Sequence, residues 1–91
     1  MESYRIIISG KVQHVYYRKF ISQAFQKLGI QGYIRNLPDT TVKVIARIYD
    51  DDYSNVIEVL RKGSPLSAVS DISIDIINDD DIIYDGFEIR T

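Results

Sequence analysis

Ninety-one residues suffice for one domain, residues 1–91, with no room for a second core. Apolar residues at 45% and charged residues at 26% argue against disorder, and the absence of cysteine excludes disulfides, thiolate zinc centres and a cysteine nucleophile. The net charge of −2 hides an asymmetry: eight basic residues stand against two acids up to Ile48, and three against eleven from Tyr49 onward, so a cationic half suited to an anionic ligand precedes an acidic one.

The first apolar run, Ile6-Ile7-Ile8, is far too short for a signal peptide or a spanning segment, so a soluble cytoplasmic protein without membrane contact is expected. Alternation over residues 4–9 predicts a strand, and residues 10–16 a polar turn. Tyr17, Phe20, Ile21, Ala24, Phe25 and Leu28 then fall at i, i+3, i+4, i+7, i+8 and i+11, the comb of a one-faced helix stopped by Gly29. Residues 30–35 read as strand, residues 37–40 as a turn, and Val42, Val44, Ala46 and Ile48 alternate with Lys43 and Arg47 as a longer strand. One aspartate of Asp50-Asp51-Asp52 is expected to cap a second helix, whose inner face is Tyr53, Val56, Ile57 and Leu60 and whose end is Gly63. Ile72, Ile74 and Ile76 mark a further strand, and Phe87 and Ile89 a short last one. The acidic cluster at residues 79–81 reads as a solvated turn; neither triple has the spacing or glycine of an EF-hand loop.

Two strand–helix–strand units in tandem, with right-handed crossovers, lay two helices on one face of a four-stranded antiparallel sheet. The expected class is therefore α+β, a ferredoxin-like sandwich (βαββαβ). That scaffold hosts many unrelated activities, so function must be read from a site.

The strand–turn–helix junction at residues 10–18 is the most telling segment. A helix N-terminus presents N–H groups without intrahelical partners and a dipole that favours negative charge. Arg18 adds a permanent cation whose planar fork matches two phosphate oxygens. The wording of the turn, GKVQHVYYRKF, resembles the signature G-x-V-Q-G-V-x-[FY]-R of the acylphosphatase family, with His14 in a glycine position. GYIRNLPDTTVKVIA, residues 32–46, resembles the same family's second signature, R-N-x-x-D/E-G-x-V. RKGSPLSAV, residues 61–69, and GFEI, residues 86–89, resemble its later segments.

The resemblance implies hydrolysis of the mixed anhydride of a carboxylic acid and phosphate, by a hydrolase acting on acid anhydrides. Carboxylate and inorganic phosphate would be released with no metal or other cofactor. It also implies a fifth short strand. Arg18 corresponds to the phosphate-binding arginine and Asn36 to the residue that positions the attacking water. The expected phosphate cradle is formed by the backbone N–H groups of Gln13, His14, Val15, Tyr16, Tyr17 and Arg18. His14, Thr40 and Ile48 replace the family's usual glycines. His14 is read as a tolerated neighbour in a turn that needs positive φ, and as the only histidine it cannot anchor a metal site alone.

Two other readings stand beside this one. Tyr16, Tyr17 and Tyr33, interleaved with Lys and Arg, suit a sheet that stacks bases. Against it, residues 41–49 carry no RNP-like string, and the pI of about 5.2 argues against affinity for polyanions. No nucleic-acid partner is therefore expected; Tyr17 is assigned to the core and Tyr33 to the inward side of its strand. The glycine losses also leave open an anion-binding or regulatory domain with weakened catalysis. A monomer is expected.

Overall fold

The computed structural model describes residues 2–78 and 85–90, so the acidic cluster at residues 79–81 lies outside the described residues. Strand β1 (Glu2–Lys11) leads into helix α1 (Tyr17–Leu28), followed by β2 (Gln31–Asn36) and β3 (Val42–Ile48). A single 3₁₀ turn (Asp50–Asp52) enters α2 (Tyr53–Lys62), and β4 (Ala68–Ile77) and β5 (Phe87–Arg90) complete the order. The sheet runs β4-β1-β3-β2-β5. Its first four strands pair antiparallel, the arrangement expected of two interleaved strand–helix–strand units. The short fifth strand pairs parallel with β2, from Gly32 opposite Phe87 to Arg35 opposite Arg90, which makes the sheet mixed. Among the described residues no helix is long and apolar enough to cross a membrane.

Side-chain alternation decides which face of the sheet the helices cover. Ile6 and Ile8 on β1, Ile34 on β2, and Val42, Val44, Ala46 and Ile48 on β3 point to one side and are buried. Against them pack Tyr17, Ile21 and Phe25 of α1 and Val56 and Leu60 of α2. The inner stripe of α1 is narrower than its apolar comb, because Phe20 and Leu28 are exposed and Ser22 is buried. Tyr33 is also corrected: Ile34 takes the inward place, so Tyr33 lies on the open face, its ring covered by Arg90 at 4.2 Å and by Lys43 at 5.6 Å. Asp52 occupies the N-cap of α2, as the sequence suggests, yet its side chain makes no capping hydrogen bond; the preceding 3₁₀ turn supplies the entry.

Two glycines set the start of α1. At Gly10, φ is 123° and a Cβ would run into the Ala68 carbonyl. Here the β1–β4 register shifts by a bulge, and the chain turns off the sheet. At Gly63, φ is 61° and a Cβ would meet the Tyr17 ring at 2.8 Å. The close approach lets the buried Tyr17 hydroxyl donate to the Leu60 carbonyl at 2.7 Å, which pins the first turn of α1 to the last turn of α2. Burial pushes the Tyr17 hydroxyl well above the ordinary tyrosine pKa, so it stays a donor at any working pH.

Ile48 and Thr40, two of the three glycine replacements, sit in opposite environments. Thr40 has φ 75° in the β2–β3 turn, whereas Ile48 is 1% exposed in the core and has no positive φ. Thr40→Gly should stabilise the fold by up to about 1 kcal/mol, because left-handed strain of ~1–2 kcal/mol exceeds glycine's entropic disadvantage. Ile48→Gly should destabilise by roughly 3–5 kcal/mol through the lost side chain and its cavity. Urea unfolding of both variants checks the opposite signs.

Candidate active site

After the β1 bulge the chain makes two left-handed residues one apart, His14 at φ 62° and Tyr16 at φ 63°. Such a run curls successive N–H groups into a concave nest. Tyr16 is the N-cap of α1, and the first backbone bond of the helix runs from the Phe20 N–H to the Tyr16 carbonyl at 3.0 Å. Among the described residues, no backbone carbonyl accepts from the N–H groups of residues 14–19. The first turn of α1 holds no acidic side chain to compete for them. Main-chain groups of this kind, with the helix dipole behind them, have the chemistry to hold an anion.

Two side chains fix that loop from either side. Gln13 Nε2 donates to the Leu37 and Thr41 carbonyls, both at 2.9 Å, and so joins the loop to the β2–β3 turn. Buried Ser64 donates from Oγ to the Val15 carbonyl at 2.7 Å, joining it to the segment after α2. The β2–β3 turn has its own lock. The Leu37 N–H donates to the Thr41 carbonyl at 2.9 Å, and Asp39 Oδ1 accepts from the Thr41 hydroxyl and from its N–H at 3.1 Å. Those bonds, the hydroxyl's first, hold the Asp39 carboxyl below its ordinary pKa.

A cleft of about 400 Å³ opens over the loop, lined by Val12, His14, Tyr16, Tyr17, Arg18, Lys19, Asn36 and Ile89. Arg18 and Asn36 are thus brought together, with the loop between them. Arg18 donates from Nη1 to the Arg90 carbonyl at 3.3 Å, so β5 steadies its guanidinium. Asn36, the last residue of β2, buries its Oδ1, and among the described residues that oxygen has no hydrogen-bond partner. A buried acceptor without a protein partner is expensive unless a ligand or water serves it. Gln13 and Val15 do not line the cleft; their side chain and carbonyl, respectively, brace it from outside. Sequence reading missed Lys19 and Ile89 as walls and β5 as the partner of Arg18, since nothing local signals a contact 72 residues away.

Tyr16, Tyr17 and Tyr33 do not form a stacking platform: Tyr17 is buried, Tyr16 lines the cleft, and Tyr33 alone faces the open side of the sheet. Among the described residues no group of three or more His, Asp or Glu side chains is spaced to hold a metal ion.

A family model described as Acylphosphatase matches residues 4–89. The chain belongs to the acylphosphatase family. It is similar to the acylphosphatase of Methanocella arvoryzae, 37% identical over 90 residues that cover 99% of this chain and 100% of that one. It is 33% identical to the acylphosphatase of Bacillus licheniformis over 88 residues, 97% and 93% of the two chains. The crystal structure of acylphosphatase from Bacillus subtilis matches with a TM-score of 0.91 at 31% identity, covering 100% of both chains. Relatives and neighbours of full length support acylphosphatase function.

Within the acylphosphatase frame the three glycine replacements separate. His14 and Thr40 keep the positive φ that glycine would supply, so the backbone of both signature turns survives the change. His14 is exposed at the cleft edge. His14→Gly should therefore give equal or higher catalytic efficiency, with a stability change of about 1 kcal/mol or less. A loss of tenfold or more, with the fold intact, would instead make the imidazole a donor to phosphate. Gln13→Glu should cost roughly 2–4 kcal/mol, because a carboxylate would face two carbonyl oxygens and strand both. That loss should shrink at acid pH, where the protonated carboxyl donates again; urea unfolding at two pH values checks the trend.

Proposed function

We propose that this chain hydrolyses the carboxyl–phosphate anhydride of acyl phosphates to carboxylate and inorganic phosphate, without a metal. The observation that carries the reading is one cleft holding a nest of N–H groups, Arg18 and the buried Oδ1 of Asn36, which has no partner among the described residues. Phosphoryl transfer asks chiefly for positioning and for stabilisation of charge on three equatorial oxygens. The nest and the Arg18 fork provide donors for those oxygens. Donors fixed before the reaction and aimed at transition-state charge are worth ~10²–10³ in rate each.

Asn36 Oδ1 accepts a hydrogen bond from the attacking water and aims its lone pair at phosphorus. The amide is not a base, so the water's proton passes to a phosphoryl oxygen of the substrate as the new P–O bond forms. The bond from phosphorus to the acyl oxygen breaks, and its electron pair leaves on the carboxylate, which needs no protonation. A general acid is unnecessary for this leaving group, and among the described residues no Asp or Glu lines the cleft. The preserved turn geometry at His14 and Thr40 favours an active enzyme over a domain with weakened catalysis. Both signature segments come from one chain, which favours a monomer; the proposed workplace is the cytoplasm.

Arg18→Ala should weaken inorganic phosphate binding and remove most turnover of benzoyl phosphate. Arg18→Lys should recover little, since a point charge cannot replace the bidentate fork. Asn36→Ala should lose turnover by about a hundredfold or more while keeping phosphate affinity. Chelator should leave the wild-type rate unchanged. Equal loss of phosphate affinity in the Arg18 and Asn36 variants, or inactivation by chelator, would overturn this assignment of roles.

A further inference from the structure

The sheet face turned away from the helices gathers more cations than acids. Strand parity places Arg5, Lys43, Arg47, Arg35 and Arg90 on it, because Ile6, Val44 and Ile34 beside them point into the core. Asp75 of β4 answers Arg5 at 3.5 Å and Glu88 answers Arg90 at 3.4 Å, both pairs about half exposed and so of little weight. Three of the cations form a lateral row. Arg35 of β2 lies opposite Lys43 of β3 on one side and opposite Arg90 of β5 on the other. Like charges directly opposite each other across strands are destabilising, yet the fold keeps the row.

The row is also short of acceptors. Arg35 is half-buried, and its Nε is shielded from solvent with no hydrogen-bond partner among the described residues. A donor in that state is destabilising unless an acceptor reaches it. The outer two cations lean inward over one ring: Lys43 Nζ stands 5.6 Å and the Arg90 guanidinium 4.2 Å from the centroid of Tyr33. Their charges converge, and three long side chains can close on one compact ligand. The Tyr33 ring is already covered by these cations, which favours a ligand made of phosphate over one read through its bases. Arg35 and Asn36 are consecutive in β2 and point to opposite faces, so the sheet itself separates the row from the phosphate cleft.

We infer that the open face carries a second anion site, built on Lys43, Arg35 and Arg90, for a linear triphosphate. The inference stands independently of the hydrolase reading. A triphosphate sets several negative charges along a short chain, so one ligand relieves the repulsion of the whole row and brings acceptors to the Arg35 guanidinium. A single phosphate engages the row only in part. The overall charge of −2 is no obstacle, because screening makes the field that a bound anion meets a local one. Inorganic tripolyphosphate and the tail of a nucleoside triphosphate present this same chemistry.

The test is calorimetric binding of tripolyphosphate to the full chain carrying Arg18→Ala, which weakens the cradle as a competing seat. Binding should persist there, and Arg35→Gln and Lys43→Gln should each weaken it roughly tenfold. Arg61→Gln removes an exposed cation of α2 outside the row and should leave the affinity unchanged. Inorganic phosphate should bind at least about tenfold more weakly than tripolyphosphate. Tripolyphosphate should also raise the urea midpoint of the Arg18→Ala chain and not that of its Lys43→Gln derivative. ATP separates the two sources: equal affinity admits the nucleoside triphosphate, a large loss leaves the inorganic chain, and either result keeps the row. Binding that Arg18→Ala abolishes, or that Arg61→Gln weakens as much as Arg35→Gln does, overturns the inference, as does phosphate bound as tightly as tripolyphosphate. A short single-stranded RNA that binds more tightly than tripolyphosphate, and loses affinity with the same two variants, overturns it in favour of a nucleic-acid surface.

Discussion

The side-chain amide of Gln13 is the joint on which the site depends. One nitrogen serves two carbonyls, Leu37 and Thr41, at the two ends of the β2–β3 turn. Asn36 immediately precedes that turn, and the nest immediately follows Gln13. The loop after β1 and the turn after β2 are thereby held at a fixed separation, without either residue of the proposed chemistry having to spend its own polar atoms on the task. Asn36 Oδ1 in particular stays unengaged among the described residues. Positioning to a fraction of an ångström is what a reaction without acid, base or metal needs most.

The backbone shows where the fold concentrates strain. Among the described residues three non-glycine residues have positive φ, and all three, His14, Tyr16 and Thr40, lie in the two turns that Gln13 joins. Strained residues persist only where the surroundings over-determine them. Here the surroundings are specific: the Gln13 amide, the Ser64 hydroxyl on the Val15 carbonyl, and the Asp39 carboxylate on Thr41. Residues with a Cβ can thus hold a glycine-like path because hydrogen bonds on either side of them leave it no other.

The fold was legible in the sequence because alternation marks its strands even through the continuous runs Ile6-Ile7-Ile8 and Val44-Ile45-Ala46. Ile6 and Ile8, and Val42 through Ile48, announce both strand and buried face. That Arg18 and Asn36 would share one cleft was legible only because each sits in a recognisable string. Three things were not legible. Phe20 and Leu28 fit the helical period but fall beyond the part of the stripe that α2 and the sheet cover, which periodicity alone does not delimit. Tyr33 and its neighbour Ile34 are both large side chains common in strands, so alternation needed a reference point; pairing with β3 fixes Ile34 opposite Val44, inside. The direction of β5 and its hold on Arg18 depend on contacts between distant segments, for which the sequence offers no local mark.

The bond from Arg18 to the Arg90 carbonyl spans 72 positions of sequence, and β5 lies parallel to β2 across a separation of 55 positions. Closing loops of that size is entropically slow, and parallel pairing between such distant segments comes late in folding. The nest and the Gln13 joint can form once β3 is in place, but Arg18 gains its support only when β5 docks. The support on Arg18 is therefore completed in the same step that closes the core, because β5 also brings the buried Phe87 ring against Phe25. During biosynthesis a chain lacking residues 87–90 would be without both that core ring and the support on its guanidinium, so the posture of Arg18 is tied to the arrival of the fifth strand.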